Sequence, residues 1–270
     1  MTISSKLAVL VLGAGVTLAC TNALAAGPQA DASVVVSGFQ LIDLDPNDGM
    51  APAIAFFGTQ NYLENRVNDT RSPINEISTN RSTTNFDPLS STLSMAHVNA
   101  SVGNGGGQFG SLTSQATLAG KGQFGSMAML NTGFTITPKT LLVLFGHVTI
   151  NRSVDPTDAS QEAHASANMS LTGGLMGNNI GFQSSGFNQY YYGAQNVASN
   201  HFDHDFSASF SNLTSAALNG QFNSQVAIYG AGLGGFVPPP TSPVPEPETY
   251  AMMLAGLGLL AAVARRRAGK

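Results

Sequence analysis

The sequence predicts an all-β protein: an antiparallel β-sandwich or jelly-roll-like domain, flanked by an N-terminal signal helix and a C-terminal transmembrane helix. Apolar and polar residues alternate with a period of two over 202–210 and again over 162–171, as in strands with one buried face. Residues 26–236 contain short apolar stretches separated by turn residues, and no convincing amphipathic helical pattern. The body of the chain is therefore expected to consist of strands and turns.

Residues 1–25 have the three parts of a secretory signal peptide. Lys6 supplies a positive charge, residues 7–20 are dominated by apolar side chains, and Ala23-Leu24-Ala25 forms a small-residue cleavage site. Cys20, the only cysteine of the 270 residues, lies inside this segment. We therefore expect neither thiol chemistry nor disulfides in the exported body.

The charge of the chain is unevenly distributed. The net charge is −4 and only 10% of the residues are charged, but residues 26–236 alone hold six basic and thirteen acidic residues. The body is thus acidic, and the basic residues of the C-terminus mask this in the total. An acidic body predicts no nucleic-acid partner, because such binders need a basic patch.

The first predicted strands flank a loop rich in oxygen-bearing side chains. Residues 34–44 predict a strand, residues 46–49 a turn, and residues 53–57 a second strand. The loop could bind calcium through Asp43, Asp45, Asn47 and Asp48.

The spacing of this loop departs from that of an EF-hand. Counted from Asp43, Gly49 is the seventh residue and Ile54 the twelfth, where an EF-hand has glycine at the sixth position and glutamate at the twelfth. The alternative is a solvated turn whose carboxylates bind no ion.

Two histidines form a second candidate site. Residues 140–150 are apolar on both faces, and the connection 151–159 predicts a hairpin between them and residues 160–172. A hairpin centred near Asp155-Pro156 would place His147 opposite His164. Such a pair could bind a metal ion or respond to pH, although most cross-strand pairs are only neighbours.

His201, Asp203 and Asp205 are expected to share one face of a strand, because they are spaced two residues apart. Imidazole and carboxylate groups together suit a divalent metal. His204 is expected to point to the opposite face. The alternative is an exposed polar face whose charges discourage aggregation through a strand edge.

A short sequence recurs along the body. Gly107-Gln108-Phe109-Gly110 is repeated fifteen residues later from Gly122, and a weaker copy begins at Gly220, ahead of a predicted strand at 221–229. Fifteen residues suit one strand and one turn, so we expect successive strands of a meander. Calcium-binding β-roll repeats are not expected, because no copy contains an aspartate.

Motifs of catalysis are absent from the sequence. It contains no Gly-x-Ser-x-Gly, His-Glu-x-x-His or phosphate-binding glycine loop, and its acidic residues are scattered. We therefore expect a non-enzymatic protein without a cofactor. Tyr190-Tyr191-Tyr192 could stack on sugar rings, although the chain has no tryptophan to provide a larger platform.

The C-terminus combines a proline-rich linker at 237–249 with an apolar segment and a basic end. Residues 250–264 are apolar without a break, and Arg265-Arg266-Arg267 follow as a stop-transfer signal. Fifteen helical residues extend roughly 22 Å, which is short of the ~30 Å hydrocarbon core. We interpret 250–270 as a short transmembrane helix with a basic cytoplasmic tail, leaving the body outside.

The order of Val244-Pro245-Glu246-Pro247, an apolar segment and an arginine cluster closely resembles the PEP-CTERM sorting signal. This resemblance implies export across the inner membrane, a transient single-pass membrane precursor, and processing by exosortase near Pro245-Glu246-Pro247. The mature protein would then be at the cell surface or secreted. An ordinary C-terminal anchor behind a proline spacer is the alternative. Residues 41–52 resemble a segment that recurs in extracellular bodies of the same family.

Bodies of this family are associated with exopolysaccharide and biofilm. The resemblance therefore implies an exported cell-surface or extracellular-matrix protein that is non-enzymatic. The alternative prediction is a carbohydrate- or calcium-binding adhesion module.

Overall fold

The computed structural model of the chain describes residues 27–70, 76–173, 183–193 and 198–232. All regular secondary structure in these ranges is β-strand. The twelve strands are β1 (Gln29–Asp43), β2 (Ile54–Asn68), β3 (Glu76–Thr83), β4 (Leu89–Met95), β5 (Val98–Asn104), β6 (Ser111–Leu118), β7 (Gly122–Ile136), β8 (Thr140–Ser153), β9 (Gln161–Gly173), β10 (Gln183–Gly193), β11 (Ser199–Asn212) and β12 (Leu218–Gly232).

The strands form two six-stranded antiparallel sheets. Sheet 1 has the order β11-β8-β1-β6-β5-β4, and sheet 2 has the order β10-β9-β12-β7-β2-β3. The sheets pack face to face, with β1 over β12 and β9, β6 over β7 and β12, and β5 over β7 and β2. The predicted all-β sandwich is confirmed at the level of two packed antiparallel sheets.

Alternation with a period of two explains which face of each strand is buried. Along β7 and β8, buried and partly exposed residues alternate almost without interruption, as the pleat requires. The predicted alternation over 162–171 is likewise confirmed in β9, and that over 202–210 is confirmed in β11 except at His204, which is exposed. The core includes four fully buried phenylalanines, Phe124, Phe134, Phe210 and Phe222.

Aromatic side chains join the two sheets through edge-to-face contacts. The rings of Phe134 on β7 and Phe210 on β11 are 5.2 Å apart at an angle of 89°. Phe109 approaches Phe222 at 5.1 Å in the same geometry. Such contacts add about 0.5–1.5 kcal/mol each to the stabilisation from apolar burial.

A buried polar network also bridges the sheets. Asn65 is fully buried on β2, where its amide donates to the carbonyl of Ala100 in sheet 1 at 3.0 Å. The hydroxyl of Ser126 on β7 donates to Asn65 Oδ1 at 2.7 Å. Nearby, Asn104 donates to Asn61 Oδ1 at 2.9 Å. These side chains are satisfied within the core, so their burial is tolerated.

The predicted hairpin between 140–150 and 160–172 is wrong. β8 pairs with β1 and β11 in sheet 1, whereas β9 pairs with β10 and β12 in sheet 2. The connection has a local turn, in which the amide of Asp158 donates to the carbonyl of Asp155 at 3.2 Å. It nevertheless crosses between the sheets, so that the buried faces of β8 and β9 meet in the shared core. One apolar face per strand is compatible with either arrangement, so the sequence pattern does not distinguish them.

The predicted meander of the glycine-containing repeat is wrong for the same reason. The first copy leads into β6 in sheet 1, and the second begins β7 in sheet 2. The copies share a buried phenylalanine, Phe109 or Phe124, rather than a common position in one sheet. Strand, turn and strand near residue 45 are confirmed, but β1 and β2 also lie in different sheets.

Other predictions concern residues outside the described ranges. These are the signal peptide at 1–25, the linker and sorting motif at 237–249, and the transmembrane helix with its tail at 250–270. Within the described ranges, no helix has the length and apolar character needed to cross a membrane.

Candidate functional site

In the predicted calcium loop, aspartate side chains accept hydrogen bonds from backbone amides of the same loop. The Oδ1 atom of Asp43 accepts from the amide of Asp45 at 2.9 Å, and Oδ1 of Asp48 accepts from the amide of Met50 at 2.7 Å. The amide of Asp48 donates in turn to the carbonyl of Asp45 at 3.0 Å. Asn47 lies in this exposed turn. Calcium binding at this loop stays a prediction.

The predicted pairing of His147 with His164 is wrong, because the hairpin on which it depends does not form. His147 lies opposite Val35 and Asp205 in sheet 1. His164 lies in sheet 2, opposite Tyr229 on β12. The two imidazoles thus belong to the outer faces of different sheets and cannot share an ion.

His147 instead contacts two carboxylates of β11. Its Nδ1 atom lies 2.9 Å from Oδ1 of Asp205, and its Nε2 atom lies 2.7 Å from Oδ1 of Asp203. The hydrogen bond to Asp205, aided by the charge of both aspartates, raises the pKa of His147 above 6.5. The cluster is solvent-exposed.

The predicted shared face of His201, Asp203 and Asp205 is confirmed. Both aspartates, however, contact His147 of the neighbouring strand β8. The Nε2 atom of His201 is 3.9 Å from Oδ2 of Asp203, and its Nδ1 atom contacts Oδ1 of Asn151. Sequence reasoning missed His147 as the partner of both aspartates, because strand pairing was needed to find it. Over the described residues, no group of three or more His, Cys, Asp or Glu side chains is arranged to hold a metal ion.

A different cluster lies on the outer surface of sheet 2, here called the sheet-2 face. Nδ1 of His164 is 2.9 Å from the Tyr190 hydroxyl, and the imidazole meets the ring of Tyr229 edge-on at 5.5 Å. Tyr190 is 61% exposed, whereas Tyr191 points inward and packs against Phe202. Of these two predicted stacking residues, only Tyr190 therefore faces solvent.

The first groove of the sheet-2 face has Gly125 of β7 as its floor. Gly125 is paired with Arg66 on one side and Tyr229 on the other, and the groove encloses about 260 Å³. Arg66 forms a 2.6 Å ion pair with Glu76. Burial, followed by the negative charge of Glu162, raises the pKa of Tyr229.

The second groove has Gly133, also on β7, as its floor. It encloses about 410 Å³ between Phe57 and the amide side chains of Gln60, Asn131, Asn219 and Gln221. The ring of Phe57 covers Gly133 so closely that a Cβ atom added there would lie 2.4 Å from it. Phe57 is 49% exposed, so the other side of its ring faces solvent.

The described residues define an all-β protein with two packed sheets and a grooved outer face. A family profile for the PEP-CTERM protein-sorting motif matches residues 243–267, so the chain carries this sorting motif, as the resemblance of its C-terminus implied. The motif implies export to the cell surface or extracellular space and processing by exosortase.

Comparison with solved structures gives a weak similarity. One solved structure comes from a study of the structural basis for the promiscuous specificity of carbohydrate-binding modules from the β-sandwich superfamily. It is 9% identical to this protein, and the alignment covers 78% of this chain and 98% of that chain with a TM-score of 0.15. No curated protein matches the sequence.

Proposed function

We propose that the protein is a non-enzymatic component of the cell surface or extracellular matrix, associated with exopolysaccharide or biofilm. The observation that carries the proposal is the PEP-CTERM motif at 243–267. The signal peptide at 1–25 would start export, and the apolar segment with Arg265, Arg266 and Arg267 would stop it in the membrane. The linker would then separate the body of the chain from the membrane, so that exosortase can reach Pro245-Glu246-Pro247.

The environments of His147 and His164 give neither residue a ring nitrogen that is clearly available to act as a general base, which supports the proposed non-enzymatic role. A general base must reach the proton of a substrate or nucleophile through one ring nitrogen. Both nitrogens of His147 are within hydrogen-bond distance of aspartates. Nδ1 of His164 is within hydrogen-bond distance of Tyr190, and its ring is largely covered by neighbouring side chains.

Substitution of the motif tests the sorting step. Replacing Pro245, Glu246 and Pro247 by alanine should leave the precursor uncleaved in the membrane fraction. The matched control replaces Pro238, Pro239 and Pro240, which lie upstream in the same linker, and should be processed normally. Fractionation with immunoblotting measures both. Normal release of the motif variant would contradict the proposal.

A carbohydrate- or calcium-binding adhesion module is the second candidate. The two grooves of the sheet-2 face favour carbohydrate, since each combines an aromatic ring with polar side chains. A calcium-dependent increase in melting temperature that is lost on replacing Asp43 and Asp48 by asparagine would favour calcium instead. An unchanged melting temperature would exclude a stabilising calcium site in this loop.

A further inference from the structure

The two grooves of the sheet-2 face each combine a glycine of β7 with an aromatic residue of a neighbouring strand. Each is lined by an outward-facing glycine of β7, Gly125 in the first groove and Gly133 in the second. Each glycine is flanked by an aromatic residue of a neighbouring strand, Tyr229 of β12 or Phe57 of β2. At Gly125 the missing side chain leaves open space beside the ring of Tyr229, whereas at Gly133 it makes room for the ring of Phe57, which packs over the glycine.

The grooves lie on one line along the same strand. Eight residues separate the two glycines, which corresponds to about 27 Å at roughly 3.4 Å per residue. The surface between them carries Met127, Met129 and Asn131 on β7. Gln225 and Asn223 lie beside them on β12. An extended polymer could therefore contact both rings without bending around the molecule.

The polar side chains of this surface are mainly amides. Gln221 donates to Asn131 at 2.8 Å, and Asn168 donates to Gln225 at 3.2 Å. An amide offers two donor hydrogens and an acceptor with two lone pairs, so one hydrogen bond uses only part of its capacity. Such groups match the hydroxyls of a sugar, which both donate and accept.

The charges of the two grooves favour a neutral ligand. Among the residues that the structure describes, no ionisable side chain lines the second groove. In the first groove Arg66 is paired with Glu76, while Glu64 lines the cavity and Glu162 lies near Tyr229. An acidic polymer would meet an excess of carboxylates there, which disfavours its binding.

We propose that the sheet-2 face binds a neutral polysaccharide that lies along β7, with sugar rings stacked on Tyr229 and Phe57. This inference rests on the proposed extracellular role and adds the site, the ligand class and the direction of the chain. The apolar faces of the sugar rings cover the two aromatic rings, and the amides between them bind the hydroxyls.

Native affinity electrophoresis tests the proposal directly. The full chain, purified in mild detergent so that binding does not depend on processing, is run through gels containing β-glucan, α-glucan, galactomannan or polyuronate. We expect retardation by at least one neutral polymer, none by the polyuronate, and persistence at high salt because the contacts are uncharged. Absence of retardation by all three neutral polymers, or retardation by the polyuronate alone, would overturn the proposal.

Two groove variants and one matched control locate the site. Phe57→Ala removes the ring of the second groove and should weaken binding about tenfold. Gly125→Thr places a side chain in the first groove, where an added Cβ would meet only Tyr229, at an ordinary contact distance of 4.0 Å. It should weaken binding by a similar factor. Phe145→Ala removes a ring of comparable exposure, 43%, from the outer surface of sheet 1 and should leave binding unchanged.

The controls distinguish other occupants and separate this proposal from the sorting proposal. Equal loss of binding in all three variants, or no loss in either groove variant, would overturn the assignment to the sheet-2 face. A dimer in light scattering that Gly125→Thr dissociates would assign the face to a second copy instead. Normal processing together with absent polysaccharide binding would refute only the present inference, and the reverse result would refute only sorting.

Discussion

Nδ1 of His147 on β8 lies 2.9 Å from Oδ1 of Asp205, the residue opposite it on β11. Nε2 of the same imidazole lies 2.7 Å from Asp203, so one histidine joins two aspartates that sequence spacing alone places on a common face. Strand pairing thereby brings three residues that are separated in sequence into one cluster at the edge of sheet 1.

This cluster should make stability depend on pH. The pKa of His147 is raised on folding, so protonation stabilises the folded protein. The contribution should be complete below pH about 6.5, the value of an unperturbed histidine, and should be lost as pH rises through the folded pKa. Because the cluster is exposed, salt should weaken the effect.

An NMR titration of the imidazole resonances measures the pKa of His147 directly. Replacing both Asp203 and Asp205 by asparagine should lower that pKa toward 6.5, while the isosteric amides keep the shape of the surface. A pKa at or below 6.5 in the unmodified protein would contradict the proposed cluster.

The buried amide of Asn65 should be important for stability. Asn65→Ala removes the partner of both Ser126 and the carbonyl of Ala100, leaving polar groups unsatisfied between the sheets. We expect a loss of about 2–4 kcal/mol in the free energy of unfolding. Asn80→Ala, at an exposed position of β3, should change it by less than about 0.5 kcal/mol. Urea denaturation measures both, and equal effects would contradict the role of the network.

The bulge of β2 should require glycine at position 58. The register of β2 against β7 shifts between Phe57 and Gln60, and Gly58 has a φ of +59°. Gly58→Ala should cost about 1–2 kcal/mol, because a Cβ disfavours this left-handed conformation. Gly58→Ala should also weaken polysaccharide binding, because the bulge directly follows Phe57 and a change in its backbone would displace the ring of that residue.

Gly38 provides the matched control for this substitution. It too lies at a register shift, in β1, and an added Cβ at either position has open space, but Gly38 does not have a left-handed φ. Gly38→Ala should therefore be close to neutral. Equal destabilisation of the two variants in urea denaturation would show that backbone conformation is not the cause.

The strands can be predicted from the sequence because each has its own alternation of apolar and polar residues. The alternation in β9 and β11 depends only on which face meets the core, so the pattern is readable residue by residue. Pairing is different: β8 and β9 have similar patterns whether they form a hairpin or stack across the core. The error over His147 and His164 follows from that ambiguity.

The grooves could not be predicted from the sequence for the same reason, because they depend on how the strands pair. Gly125 and Gly133 are separated in sequence from Tyr229 and Phe57, and only the register of β7 with β12 and β2 brings them together. The signal that was available is the pair of glycines at outward positions of an otherwise regular strand. By contrast, the sorting motif was recognisable without any fold, because its three parts follow one another along the chain.

Intact-mass spectrometry of the protein recovered from the cell surface or medium tests sorting most directly. Cells with active exosortase should yield a chain that begins near Ala26 and ends before the apolar segment at 250–264. Cells without exosortase should retain the precursor with its tail in the membrane. An exported protein that still extends to Lys270 in cells with active exosortase would contradict the proposed processing.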